Sequence, residues 1–328
     1  MNYGLPYKGS KSGICKWLME YIPVCDVFVD VFSGGCAVTH AMMLENKAKR
    51  YVLNDLNVGV AELFIDALSG KLDDKYDINK FVSKDEFFEK KKDNAFIRCA
   101  WSFGYDNDSY MYSKDSEIYW RACHNVIIND DWSLFEKVCP EIYRDVFARM
   151  GGKVYADRKD KRIELGKCIA SSLKELIIKD IPLLNYAISK NPLYKQYIPY
   201  LKGNKIGVHI SPTRHLESIE RLEKIRNKDH FLFDISHCDY KELEIADGSC
   251  VYCDPPYKDS SENYGVDFDY EEFYDWCVCL KKDKNCNVFI SEYGVDDSRF
   301  VCIAEKEKKV NACAIQTTVR TERLYRVR

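Results

Sequence analysis

The stretch from Val27 to Asp55 constrains the fold of this chain more than any other. Val27-Phe28-Val29-Asp30-Val31-Phe32 is β-branched and aromatic, the composition of a strand covered on both faces. It runs into Ser33-Gly34-Gly35, where the chain must turn sharply, and then into an apolar helical stretch from Ala37 to Asn46. A second strand, Arg50 to Asn54, ends at Asp55. Strand, glycine turn, helix and strand make a βαβ unit, which commits the chain to a parallel sheet with a right-handed crossover. Glycines at the turn let backbone N–H groups and a helix N-terminus approach a ligand, because no Cβ intervenes. Asp55 stands 20 residues past Gly35, where a carboxylate accepts hydrogen bonds from ribose hydroxyls. This much fits any nucleoside-containing cofactor, and equally a strand-to-helix turn with no ligand.

The last third repeats the style. Phe231-Leu232-Phe233 leads toward Asp239, Cys250 to Cys253 is a strand stopped by Pro255, and Asn287 to Ser291 is another. Phe273 to Leu280 reads as a helix covering the sheet, and the tail as a terminal hairpin. The middle lacks this alternation and offers amphipathic helices instead, at Leu165 to Ile178 and at Leu216 to Leu222. The expected organisation is an α/β catalytic domain, residues 1–56 and 230–328, with a largely helical insertion at 57–229.

Net charge is −3, which by itself argues against a polyanionic partner, but the charges are segregated. Residues 151–228 carry 17 Lys/Arg against 8 Asp/Glu, and residues 306–328 carry 7 against 2. One basic face that tracks phosphates follows from that distribution. The fifteen cysteines are scattered, and Cys250 and Cys253 form a C-x2-C inside an apparent buried strand with no second ligand pair. They read as reduced structural thiols rather than a metal site or disulfide framework. No apolar run approaches the roughly 20 residues of a membrane span, and the first residues contain no apolar signal region. A cytoplasmic protein with no membrane partner and no metal is expected.

Asp254-Pro255-Pro256-Tyr257 carries the most specific chemistry. Two prolines fix φ and withhold both N–H donors, and the first holds Asp254 extended. After a buried strand, this makes a rigid elbow at the carboxyl end of the sheet. It presents a carboxylate, an unpaired main-chain carbonyl and an aromatic ring, which are the groups that hold a planar amine by its two hydrogens and its face.

Taken together the motifs resemble the Dam-type, D12 class family of DNA adenine-N6 methyltransferases, in the alpha motif order. Tyr7-Lys8-Gly9-Ser10-Lys11 is similar to the family's N-terminal Trp/Tyr-x-Gly-Gly-Lys, and Phe28 to Gly35 to its Phe-x-Glu/Asp-x-Phe-x-Gly-x-Gly. Tyr51 to Asn57, Cys238-Asp239-Tyr240 and Val251 to Tyr257 resemble its ribose-acid strand, short acidic motif and catalytic motif. Ser10 in place of a glycine, and the one-residue shift of glycine spacing in Ser33-Gly34-Gly35-Cys36, depart from the pattern.

The resemblance implies a Rossmann-like, S-adenosylmethionine-dependent methyltransferase fold with an inserted DNA-recognition domain. It implies that Tyr7, Lys11, Asp30, Phe32, Gly34, Gly35, Asp55 and Asp239 line the cofactor pocket, with Asp55 on the ribose and Asp239 on the adenine amine. Asp254, Pro255, Pro256 and Tyr257 would hold the target base. An adenine inside a duplex must be flipped out before its N6 can react, at a cost of a few kcal/mol. Double-stranded DNA is then the partner. The aromatic-rich run Trp101 to Tyr112 resembles a segment of phage-type members, and Trp101, Tyr105, Asn107 and Tyr110 are candidates to read bases or wedge a stack. An aromatic-rich loop packing the insertion onto the main domain is an equal reading of the same run. Lys153, Arg158, Lys159, Lys161 and Arg162 are candidates for phosphate contacts. The same tetrapeptide would serve cytosine-N4 methylation, and a catalytically silent DNA-binding module could keep the fold. A nicotinamide dehydrogenase would use the glycine turn but leave Asp-Pro-Pro-Tyr unexplained.

Overall fold

A computed structural model describes residues 2–179, 186, 188–195, 197, 213–227, 231–256, 268–313 and 316–328. The chain divides into two compact units, Met1–Gly70 with Ile225–Arg328, and Lys71–Lys224.

The first unit is built on a seven-stranded sheet: β1 (Val27–Asp30), β2 (Arg50–Asn54), β3 (Leu232–Ser236), β4 (Cys250–Cys253), β5 (Asn287–Glu292), β6 (Phe300–Cys313) and β7 (Gln316–Val327). Their spatial order is β3-β2-β1-β4-β5-β7-β6. The first five strands run parallel, and β7 pairs antiparallel with both β5 and β6. The chain winds outward from β1 through β2 to β3, then restarts on the other side of β1 with β4. Strand order therefore reverses between β1 and β4, and open α/β sheets bind ligands beyond the carboxyl ends at such a point.

The sequence explains why the central strands lie inside. β4 is buried at all four positions, and Phe28, Val29, Tyr51, Leu53, Val288 and Ile290 are fully buried. Full burial of one such side chain contributes about 1.5–3 kcal/mol. Helix α1 (Cys15–Leu18) follows the N-terminal segment, and α2 (Ala37–Leu44) and α3 (Val60–Leu68) follow β1 and β2. Helix α13 (Tyr270–Lys284) precedes β5 and buries Phe273, Cys277 and Leu280, which its pitch brings to one face. Asp269 caps its start by accepting from the Glu272 N–H, and Lys281, Lys282 and Lys284 complement its negative end. Cys250 and Cys253 are buried sheet residues with free thiols.

The second unit contains helices α4 (Leu72–Lys75), α5 (Lys84–Lys90), α6 (Ala95–Ala100), α7 (Glu117–Asn129), α8 (Ser133–Val138), α9 (Pro140–Met150), α10 (Arg158–Lys179), α11 (Pro192–Lys195) and α12 (Arg214–Glu223). Among the described residues its only β-type pairing is the bridge between Ser102 and Tyr110. Leu165, Ile169 and Leu173 of α10, and Leu216, Ile219 and Leu222 of α12, are buried at helical spacing.

Compared with the sequence expectation, the unit boundaries fall at 70/71 and 224/225 rather than 56/57 and 229/230. The reason is α3, which packs back on the first unit: Phe64 lies edge-on to His40 of α2, and Glu62 pairs with His237 beyond β3.

Candidate active site

Asp30, Asp55, Asp239, Asp254 and Glu292 all stand at or just past the carboxyl ends of parallel strands β1 to β5. One buried side chain ties three of those ends together. Asn54 donates from Nδ2 to the carbonyls of Val31 and Cys238, each at 3.1 Å, and its Oδ1 accepts from the Cys238 N–H at 3.2 Å. It thereby fixes the departure of the loops that carry Asp55 and Asp239. Asn54 is absent from the sequence-based set; an asparagine ending a strand just before an acid was the available signal.

The glycine turn is filled by the chain itself. The Gly34 N–H donates to Asp55 Oδ2 at 2.7 Å, and the Asn57 N–H donates to Oδ1 at 2.8 Å. A Cβ on Gly35 would lie 2.6 Å from Cβ of Tyr7, and one on Gly4 would lie 2.2 Å from the Gly35 carbonyl oxygen. The side-chain-free surface of Gly35 therefore accommodates the N-terminal segment, where the sequence suggested direct approach by a ligand. Tyr7 lies over Gly34 as well, and its hydroxyl accepts from Asn57 Nδ2 at 3.0 Å. Phe32 packs among Tyr240, Phe268 and Phe273 at ring separations of 5.8–6.0 Å.

The electrostatics are those of crowded acids. Burial pushes the Asp30 carboxyl up to about 7; Thr39 Oγ1, donating at 2.7 Å, opposes the rise, and Asp254 and Asp55 add to it. Burial also raises Asp55, against the two N–H groups it accepts from. Glu292 is pushed to about 8 by burial, reinforced by Asp254. Its Oε1 accepts from the Tyr293 N–H, while Oε2 is buried with no hydrogen-bond partner among the described residues, as is Ser33 Oγ. Lys11 is 6 % exposed, with Nζ 2.6 Å from Asp254 Oδ1 and 3.8 Å from Glu322 Oε1. Burial alone would lower the Lys11 ammonium, and the two carboxylates more than reverse that. His237 bonds the Asp55 carbonyl through Nδ1 at 2.9 Å and Glu62 through Nε2 at 2.8 Å, so both nitrogens face acceptors and its basicity is raised. His237, Glu292 and Glu322 are likewise missing from the sequence-based set.

Asp239 caps a 3-10 turn, Tyr240–Glu242, by accepting from the Lys241 N–H. Pro255 is buried, and the Pro256 carbonyl accepts from the Tyr270 hydroxyl. Tyr257 lies outside the described residues. Such a set of acceptors suits a ligand that brings positive charge, hydroxyls and an amine to carboxylates, with a carboxylate oxygen of Glu292 and the Ser33 hydroxyl buried at hand. Among the described residues no cluster of three or more His, Cys, Asp or Glu side chains is arranged to hold a metal ion.

Residues 7–128 match the family model of the D12 class N6 adenine-specific DNA methyltransferases. That match, over less than half of the chain, supports a D12-class adenine methyltransferase. It spans Tyr7, Lys11, the glycine turn and Asp55, and stops short of Asp239 and Asp254. No curated protein matches the chain.

In the second unit the candidate DNA contacts separate into buried and exposed sets. Trp101 is fully buried and stacks on His215 at 3.9 Å. His124 Nε2 faces the Asn79 carbonyl at 2.7 Å and so must carry a proton there. Its Nδ1 then accepts from His215 Nε2 at 2.9 Å, leaving His215 Nδ1 to accept from the Tyr112 hydroxyl at 2.8 Å. Burial accordingly keeps both imidazoles neutral, holding His215 well below its usual range and His124 down at about 4. Tyr110 is 8 % exposed and donates to the Val82 carbonyl. Trp101 and Tyr110 are thus core residues of the second unit without surface to offer DNA, packed against His215 and Val82 of that same unit, which corrects the expectation that they read bases.

Arg162 needs the same correction: it is 5 % exposed, held by Glu220 at 2.9 and 3.1 Å and by Glu217 at 2.9 Å. Arg158 pairs with Glu223 and Lys161 with Asp130. Lys153 and Lys159 are exposed. Tyr105 and Asn107 are half-buried in the loop between Ser102 and Tyr110, both at φ of +63°.

Proposed function

We propose that this chain is an S-adenosylmethionine-dependent DNA methyltransferase that modifies adenine N6 on a flipped base. The observation carrying the reading is the Asp254 elbow at the strand-order reversal of a sheet whose N-terminal motifs match the D12 class model. The order β3-β2-β1-β4-β5-β7-β6, with β7 antiparallel, supports a Rossmann-like methyltransferase fold, and the second unit is the candidate DNA-recognition domain.

Asp55 is suited to accept ribose hydroxyls, Asp239 an adenine amine, and Asp30 and Glu292 to face positive charge. When bound, S-adenosylmethionine supplies an electrophilic methyl group. Asp254 accepts one hydrogen of the target amine and a main-chain carbonyl of the elbow accepts the other. This draws the nitrogen lone pair out of the ring and toward the methyl carbon. The contribution of the protein is positioning and fixed charge rather than covalent chemistry. Basic side chains neutralise phosphates, with Lys153 and Lys159 the exposed candidates; Tyr105 and Asn107 are the remaining base-reading ones.

The experiment is incubation with unmethylated DNA and methyl-tritiated S-adenosylmethionine, followed by nucleoside analysis. Label in N6-methyl-2′-deoxyadenosine supports the reading. Label confined to N4-methylcytosine, or to protein, overturns it.

A further inference from the structure

Glu322 sits in a basic tail, between Arg320 and Arg323, where a solvated side chain would be ordinary. Instead it is 0 % exposed. Removing a carboxylate from water costs several kcal/mol unless a cation and hydrogen bonds compensate. The cation is Lys11, 3.8 Å away, which lies 2.6 Å from Asp254 on the other side. The Lys11 ammonium is thus shared by two carboxylates, the fully buried Glu322 and the partly buried Asp254, with Glu292 a third acid close enough to feel all of them. Burying Glu322 on the far side of an ammonium already paired with Asp254 costs desolvation and calls for a functional reason.

We propose that Glu322 is a positioning residue for methyl transfer, anchoring the Lys11 ammonium so that Asp254 keeps its basicity toward the acceptor amine. The proposal rests on the assignment of Asp254 above. In the transfer, the bond from nitrogen to the methyl carbon forms as the sulfur–methyl bond breaks. The nitrogen becomes positive and loses one proton, which Asp254 accepts and passes to solvent. A lysine held by Asp254 alone would place its full charge on that carboxylate and weaken it as an acceptor. With Glu322 sharing the ammonium, Lys11 orients Asp254 without disarming it. Glu322 touches neither reacting group in this scheme; it acts through Lys11.

The test is a double-mutant cycle in the single-turnover methylation rate, combining Glu322→Gln with Lys11→Met at saturating DNA and S-adenosylmethionine. Glu322→Gln is expected to lower the rate about tenfold, which corresponds to ~1.4 kcal/mol, and to leave both KM values within about twofold. In the Lys11→Met background the same change should alter the rate less than about twofold. Multiplying effects, or a Glu322→Gln enzyme at full rate, would overturn the proposal.

An activity-free measurement accompanies it: NMR titration of the Lys11 ammonium in wild type and Glu322→Gln. Loss of an opposite charge at this distance should make Lys11 about tenfold more acidic or more, and an unchanged titration refutes the anchor even if Lys11→Met is inactive. A wild-type protein that methylates no DNA but shows the shifted titration would instead refute the activity assignment and leave the anchor standing.

Discussion

Replacing Asp30 with asparagine should stabilise the protein at alkaline pH and do nothing for it in acid. Asp30 is 2 % exposed, and its carboxyl is raised from 3.8 to about 7. Between those two values the folded chain holds a proton that the unfolded chain has released. Stability must then fall as pH rises through this window, and stay low above it. At 1.36 kcal/mol for each pH unit, the full penalty approaches ~4 kcal/mol as a ceiling. The substituted amide cannot ionise and so escapes it, but it forfeits part of the bond from Thr39, which is worth about 1 kcal/mol. A net gain of roughly 2–3 kcal/mol at pH 8 remains, or a Tm rise of about 5 °C for a domain of this size. The assay is thermal unfolding of wild type and Asp30→Asn from pH 4 to pH 8. The difference between them should grow across that range, and a constant difference, or a variant less stable at pH 8, would refute the buried-acid account.

Other consequences follow from particular contacts. Asn54→Ala orphans two carbonyls and one N–H at the strand ends, and should cost about 2–4 kcal/mol in a urea melt. Arg162→Ala strands Glu220 and Glu217 without their cation, and should cost roughly 3–5 kcal/mol while leaving the salt dependence of DNA binding unchanged. Lys153→Gln with Lys159→Gln should do the converse, flattening the slope of log affinity against log salt by about 2 with no change in Tm.

The central parallel strands were legible because they are short apolar runs closed by a glycine, an acid or a proline. β2 and β4 occupy the expected residues, and α2 and β5 differ from expectation by two residues and one. Asp30, Asp55, Asp239 and Asp254 at their ends were legible for the same reason, since period and punctuation place them, whereas Glu292 was not singled out. What the sequence hid are the long-range partners. Glu322 lies 311 positions from Lys11 in the chain and looks like one more charge in a basic tail, and only the antiparallel return of β7 beside β5 brings it inward. Trp101, Tyr110 and Arg162 mislead because aromatic and basic side chains serve a helical core and a nucleic-acid surface alike. Burial separates the two uses, and burial depends on the partners His215, Val82 and Glu220 that periodicity does not reveal.

The central claim is that Asp254 is the acceptor of the target amine, and Asp254→Ala tests it most directly. Methyl transfer to DNA under single-turnover conditions and S-adenosylmethionine binding by calorimetry should be measured on the same preparation. The account predicts transfer reduced at least about a thousandfold, a loss of ~4 kcal/mol in transition-state stabilisation, with cofactor affinity within a few-fold of wild type. Transfer at a near wild-type rate, with the label still in N6-methyl-2′-deoxyadenosine, would contradict it.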